Sequence, residues 1–183
     1  MNGERFYSSV EYILKEAANI VKKVDYEKIK LAADSILRSK QTFVYGVGRS
    51  GIVGKAFAMR LVQMGLKAYF IGESTTPIVE KGDSVVVISN TGETLSAIQT
   101  AEIVKRVGAN SIVLTSEPES SLAKLAEILI ILRTDGEINT DYAPLGTVFE
   151  DSALIVLDGM ISELMERKGE NEESMRGRHA IWV

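Results

Sequence analysis

Thr42-Phe43-Val44-Tyr45-Gly46-Val47-Gly48-Arg49-Ser50-Gly51 is a short apolar run that breaks into three glycines and a serine. Thr42–Tyr45 has strand length, and Gly46 to Gly51 meets the G-x-G-x-x-G pattern of a turn carrying a strand into a helix. The segment Ile52–Met64 then has helical spacing, and Gly65 stands where a left-handed C-terminal cap is wanted. Strand, glycine turn and helix in that order open a parallel-sheet unit.

Outward from this unit the same texture repeats. Ala68–Ile71, Val85–Ser89, Ile112–Thr115 and Ile128–Leu132 are further runs of strand length, apolar on both faces, as expected of parallel strands covered above and below. Helical segments lie between or after them: Leu95–Val107 ended by Gly108, a shorter Ser120–Ala126, and a long one from Val148 to about Arg167, ended by Gly169. Before the first strand, Val10, Ile13, Leu14, Ala17, Ile20, Val21 and Val24 follow the helical period. Asp25 can cap a second helix carrying Ile29, Ala32, Ala33, Ile36 and Leu37. The pattern predicts a three-layer α/β/α doubly wound, flavodoxin-like domain on a five-stranded parallel sheet with extra N-terminal helices. One domain spans 1–183, with N-terminal helices over 1–39, the α/β core over 40–169 and a C-terminal segment over 170–183. Ligands of such sheets sit beyond the carboxyl ends of the strands. Arg133–Gly146, the one long irregular connection, belongs to that edge.

Composition narrows the chemistry. The 183 residues carry 21 basic and 25 acidic side chains, a formal charge of −4, which argues against nucleic acid as a partner. No cysteine is present, so disulfides, thiolate metal sites and cysteine nucleophiles fall away. His179 is the one histidine, which removes zinc sites built on several imidazoles. No metal or cofactor is expected. The N-terminus lacks a signal-peptide core and no apolar run approaches a membrane span, so the expectation is a cytoplasmic protein without membrane contact.

Two loops carry the ligand chemistry. The first, Gly46 to Gly51, permits a dinucleotide reading, with Glu73 standing where such a domain places its ribose-binding acid. The second, Ser89-Asn90-Thr91-Gly92-Glu93-Thr94, puts three hydroxyls, an amide and a glycine before a helix, where backbone N–H groups and the helix dipole favour an anion. Plain N-capping by Thr91 or Thr94 would need only one of those hydroxyls. Two hydroxyl-bearing loops on neighbouring strands suit one terminal phosphate better than a pyrophosphate. Gly48, Arg49 and Ser50, with Ser89, Asn90, Thr91, Gly92, Glu93 and Thr94, are therefore the candidate substrate- and phosphate-binding residues. Glu93 has the wrong sign to touch the anion itself and suits the helix dipole instead. Thr75, Thr76 and Pro77 suit either a pocket wall or a plain turn.

GVGRSG, Ala58–Leu61 (AMRL), Gly72–Pro77 (GESTTP), ISNTGET, APLGTVFED and the C-terminal Arg178-His179 pair together resemble the sugar isomerase (SIS) domain family, most of all its 6-phospho-3-hexuloisomerase branch. The resemblance covers nearly the whole chain. It implies interconversion of D-arabino-3-hexulose 6-phosphate and fructose 6-phosphate, in the ribulose monophosphate pathway of formaldehyde assimilation. It also implies a homotetramer.

Such an isomerisation needs a base for a carbon-bound proton, a donor for the enediolate oxygen and a grip on the phosphate. Glu150 is the candidate base by the resemblance. Its competing role is local, since Thr147-Val148-Phe149-Glu150 matches a capping box in which Glu150 reaches back to the helix start. A carboxylate so engaged is a weaker base. His179 matches a family histidine that assists ring opening and proton transfer, often from a neighbouring subunit. The apolar N-terminal helices and the tail Ala180-Ile181-Trp182-Val183 look like surfaces seeking a partner, or a cover for the domain's own sheet. Arg49 suits either the phosphate or the outside of the turn. Ser50, Glu150 and His179 follow the chain order of an α/β-hydrolase triad, but Ile52 stands where the nucleophile elbow needs its second glycine, and that reading is rejected. Two other readings remain: a SIS module that binds a sugar phosphate without turnover, and an NAD-binding domain.

Overall fold

The computed structural model describes residues 3–179; the tail Ala180–Val183 lies outside them. The chain runs α1 (Glu4–Val21), α2 (Tyr26–Arg38), β1 (Thr42–Gly46), α3 (Gly48–Gln63), β2 (Ala68–Phe70), β3 (Ser84–Ile88), α4 (Leu95–Val107), β4 (Asn110–Thr115), β5 (Ile128–Ile131), α5 (Thr147–Lys168) and α6 (Glu172–Arg176). Asp25 caps α2 as expected, its carboxylate accepting from the Glu27 amide at 2.9 Å.

All five strands are parallel, in the order β2-β1-β3-β4-β5. This is the flavodoxin-like order, with its switch point between β1 and β3. The dinucleotide reading required β3 at the outside of β2, whereas β3 lies between β1 and β4. Glu73, its candidate ribose acid, is paired with Lys55 at 2.6 Å. The structure does not favour that reading.

The pleat divides the core in two, because successive strand residues point to opposite faces. Val44, Val86, Ile88, Ile112, Leu114 and Ile130 meet α1, α2, α3 and α5 on one face. Phe43, Val85, Val87 and Val113 meet α4 on the other. The cover is lopsided, since the second face has α4 and one turn of 3₁₀ helix over Ala123–Leu125. That turn replaces the helix expected over Ser120–Ala126. The Ser121 and Leu122 amides are drawn to Glu93 and to the Gly92 carbonyl, and Glu127 is already bonded to Ser111 ahead of β5. Too little chain is left for an α-helix.

α3 begins at Gly48, earlier than the expected Ile52, so the glycine turn is part of its first turn. Close approach makes this possible. A Cβ on Gly51 would lie 2.6 Å from the Gly46 carbonyl oxygen, and one on Gly46 would lie 2.9 Å from the Gly51 nitrogen. The expected ends of α4 and α5 hold, with Gly108 and Gly169 in the left-handed region at φ 76° and 69°. Among the described residues no helix is long and apolar enough to cross a membrane.

Candidate active site

The loops after β1 and β3 leave the same sheet edge side by side, because Gly46 and Ile88 are register partners at the carboxyl ends of those strands. Ser50 lies buried in the first turn of α3 and Ser89 is buried just past β3. Ser89 Oγ and Thr94 Oγ1 are 3.2 Å apart. Thr94 occupies the N-cap of α4, but its hydroxyl makes no cap bond and is turned to Ser89. The N-terminus of α4 therefore opens beside a hydroxyl pair, the arrangement that suits an anion. Thr91 is exposed, and its Oγ1 accepts from the Glu93 amide at 3.2 Å.

Two tethers hold this loop in shape. The Asn90 carbonyl accepts from Thr115 Oγ1, Ser116 Oγ and the Ser116 amide, at 2.9, 2.9 and 3.0 Å. Gly92 has φ 65°, and a Cβ there would lie 2.1 Å from Ser120 Oγ, so the loop lies directly on the segment after β4. Glu93 completes the second tether, with Oε1 accepting from the Ser121 amide at 2.8 Å. That bond holds the Glu93 carboxyl below the usual carboxylate range. Glu93 thus faces the neighbouring turn, a destination no local pattern could reveal.

Glu150 enters from the other side. The cap of α5 is Gly146 at φ 87°, preceded by Leu145 at φ 52°, and Thr147 is inside the helix with its hydroxyl donating to the Pro144 carbonyl at 2.6 Å. The capping box does not form. Glu150, 7% exposed, instead accepts from Arg49 Nε–H, while Asp151 lies 3.8 Å from the same guanidinium. The hydrogen bond to Glu150, then its charge, holds the Arg49 pKa above its ordinary value. Gly146 in turn approaches Asn90 closely, since a Cβ there would lie 2.9 Å from Asn90 Nδ2. The starts of α3 and α5 and the loop after β3 therefore converge on one mouth. An open cleft of about 1200 Å³ adjoins it, running past Asn90, Ser116, Arg133 and Phe149 to Lys23 at the α1–α2 corner. Ser116 and Arg133 stand just past the carboxyl ends of β4 and β5, the edge where ligands of such sheets sit, but no motif in the sequence singles either out as a site residue.

His179 is not part of this mouth in its own chain. It lines a separate cleft of about 550 Å³ with Arg60, Asp158, Met165 and Arg176. Asp158 and Met165 lie further along α5 than Glu150, roughly 12 and 22 Å at ~1.5 Å rise per residue. The segment bearing His179 is anchored by Arg178, which donates to the Gln63 carbonyl at 3.0 Å and to Glu170 at 2.9 Å.

Comparison with known proteins agrees with this architecture. Residues 35–158 match the SIS domain family. The chain is 40% identical to the 3-hexulose-6-phosphate isomerase of Bacillus subtilis, over 93% of this chain and 95% of that one. It is also 40% identical to the 3-hexulose-6-phosphate isomerase of Methanocaldococcus jannaschii, over 83% and 82%. A solved structure from Methanococcus jannaschii, for which a 3-hexulose-6-phosphate isomerase function has been inferred, superposes with a TM-score of 0.87 at 35% identity, covering 96% of this chain and 99% of that one. The chain belongs to the SIS domain family, within the branch that holds the 3-hexulose-6-phosphate isomerases.

Proposed function

We propose that this protein interconverts D-arabino-3-hexulose 6-phosphate and fructose 6-phosphate through a 2,3-enediol, as an enzyme of the ribulose monophosphate pathway. One observation carries the reading: a buried carboxylate, Glu150, faces the mouth beside the hydroxyl-bearing loop, in a chain 40% identical to named 3-hexulose-6-phosphate isomerases. The phosphate is held by Ser50, by Ser89, Asn90, Thr91, Gly92 and Thr94, and by the amides at the start of α4. Arg49 and Gly48 close the first loop over it.

The proton balance is simple. Starting from fructose 6-phosphate, Glu150 takes the C3 proton and the electron pair moves into a 2,3-enediolate, with charge developing on the C2 oxygen. The C2 oxygen gains a proton as the C3 hydroxyl loses one. Glu150 then returns its proton to C2, leaving the carbonyl at C3. No external oxidant or reductant enters.

His179 assists ring opening or moves the hydroxyl proton, and it does so in the site of a second copy of the chain. Its distance from Glu150 along α5 supports this reading. Exposed apolar side chains on α1 (Phe6, Tyr7, Leu14), α3 (Ile52, Met59) and α5 (Ile155) favour a homo-oligomer, a tetramer by family likeness, in the cytoplasm.

Proton NMR of fructose 6-phosphate incubated with the protein in D₂O tests the reaction. Deuterium at C3 with a new 3-hexulose signal is expected. Exchange at C1 instead would make it an aldose–ketose isomerase, and no exchange would refute the isomerase reading.

A further inference from the structure

We infer that Arg49 exchanges partners, holding Glu150 in the free protein and passing to the phosphate when the substrate binds, so that phosphate recognition itself releases the base. The inference deepens the function proposed above and rests on its assignment of the phosphate loop and of Glu150.

The geometry sets up a competition. Arg49 stands in the first turn of α3, directly before the buried Ser50, and its side chain is 58% exposed. The guanidinium, although paired, therefore has solvent on its open side and room to turn. Glu150 is fixed by contrast, buried in the first turn of α5 with 9% of its side chain exposed. Arg49 lies at the same sheet edge as the Ser89–Thr94 loop, because β1 and β3 are neighbours in register. A dianionic phosphate on that loop offers more charge than one carboxylate, and a planar guanidinium binds phosphate through two parallel N–H bonds. Asp151, 3.8 Å from the guanidinium, adds a second acidic neighbour on the Glu150 side, so the free-state position is well defined.

The chemical consequence follows from the pairing. While Arg49 stays, its Nε–H occupies Glu150 Oε2, and the carboxylate is masked. When phosphate draws Arg49 away, that oxygen is left without its partner beside the sugar and can accept the carbon-bound proton. Sugars without the phosphate leave Arg49 in place. Arg49 would thus discriminate by switching chemistry on, beyond adding affinity.

Linkage supplies the test. Inorganic phosphate is titrated into the wild-type protein, Glu150→Gln, Arg49→Gln and the double variant, following the Ser89–Thr94 amides by NMR. Removing the Glu150 charge should tighten phosphate at least about 5-fold when Arg49 is present, because a neutral amide competes far more weakly for the guanidinium. In the Arg49→Gln background the same change should have a clearly smaller effect. In parallel, the Arg49 Nε–H resonance, assigned by its loss in Arg49→Lys, should respond to Glu150→Gln in the free protein. It should not respond at saturating phosphate. A response in both states, a response in neither, or an equal effect of Glu150→Gln in both backgrounds overturns the exchange. Failure of phosphate to move the loop amides at all would overturn the phosphate-loop assignment, and the exchange with it.

Discussion

Arg49 Nε–H donates to Glu150 Oε2 across residues 101 positions apart in the chain, joining the first turn of α3 to the first turn of α5. This contact closes one side of the mouth. It also explains why Thr147 and Glu150 form no capping box: the cap position is taken by Gly146, and the Glu150 carboxylate has a stronger, charged partner.

Glu150→Gln keeps the shape and hydrogen-bonding capacity of the side chain while removing the base. Turnover should fall roughly 10²–10⁴-fold with KM little changed or lowered. Steady-state kinetics on fructose 6-phosphate check this, and a near-wild-type kcat would remove Glu150 from the mechanism.

Glu93 ties the proposed phosphate loop to the turn after β4. Glu93→Ala deletes the acceptor for the Ser121 amide and should loosen the Ser89–Thr94 loop, raising KM several-fold with kcat largely kept. Glu93→Gln retains a carbonyl oxygen at the same place and should recover most of the KM. Equal KM values for the two variants would mean that the charge, not the tether, matters.

The glycines of the two loops should separate in cost. Gly92→Ala combines φ 65° with a Cβ 2.1 Å from Ser120 Oγ, which is itself bonded to the Glu117 carbonyl and the Ala123 amide. It should cost about 3 kcal/mol or more and lower Tm by several degrees. Gly48→Ala meets nothing within 4 Å and bears only its φ of 59°, so about 1–2 kcal/mol is expected. Thermal unfolding of both variants decides, and a reversed order would contradict the loop packing.

The C-terminal segment should respond to acid. Arg178, then Lys168 and Ser174, hold the Glu170 carboxyl down to about 2. A depressed folded-state value stabilises above the unfolded carboxyl's range, near ~4.3, and that contribution is lost as pH falls from there through about 2. Amide protection across 170–179 should therefore decline below about pH 4 in the wild type. In Glu170→Gln it should already be low at neutral pH and change little on acidification. Hydrogen exchange with mass spectrometry measures it; unchanged protection in the variant would place the anchor elsewhere.

If His179 serves a neighbour's site, inactive Glu150→Gln and His179→Ala proteins should complement each other. Mixed oligomers formed by refolding them together would contain sites with one intact residue of each kind and should regain activity. No recovery, in mixtures shown by native mass spectrometry to contain both chains, would place His179 outside the shared site.

What the sequence alone determined were the local matters. Strand-length apolar runs, helical periods and terminating glycines foretold every strand and helices α2 to α5 to within a few residues, and the presence of α1 though not its start, because each depends on neighbours a few positions away. The same was true of the position of the hydroxyl-rich loop just before α4, although its shape depends on tethers to Thr115, Ser116 and Ser121. Tertiary structure decided the rest. The fate of Ser120–Ala126 turned on Glu93 and Gly92, which capture its amides from the neighbouring loop. Glu150 had two roles open to it in the sequence, cap or free carboxylate, and the choice fell to Arg49, a partner brought near only by the order of β1, β3 and α5. His179 was placed at the far end of α5 by the Arg178 anchor to Gln63 and Glu170, contacts 115 and 8 residues away in the chain. Charge pairs are chosen by distance in space, and the fold alone sets that distance.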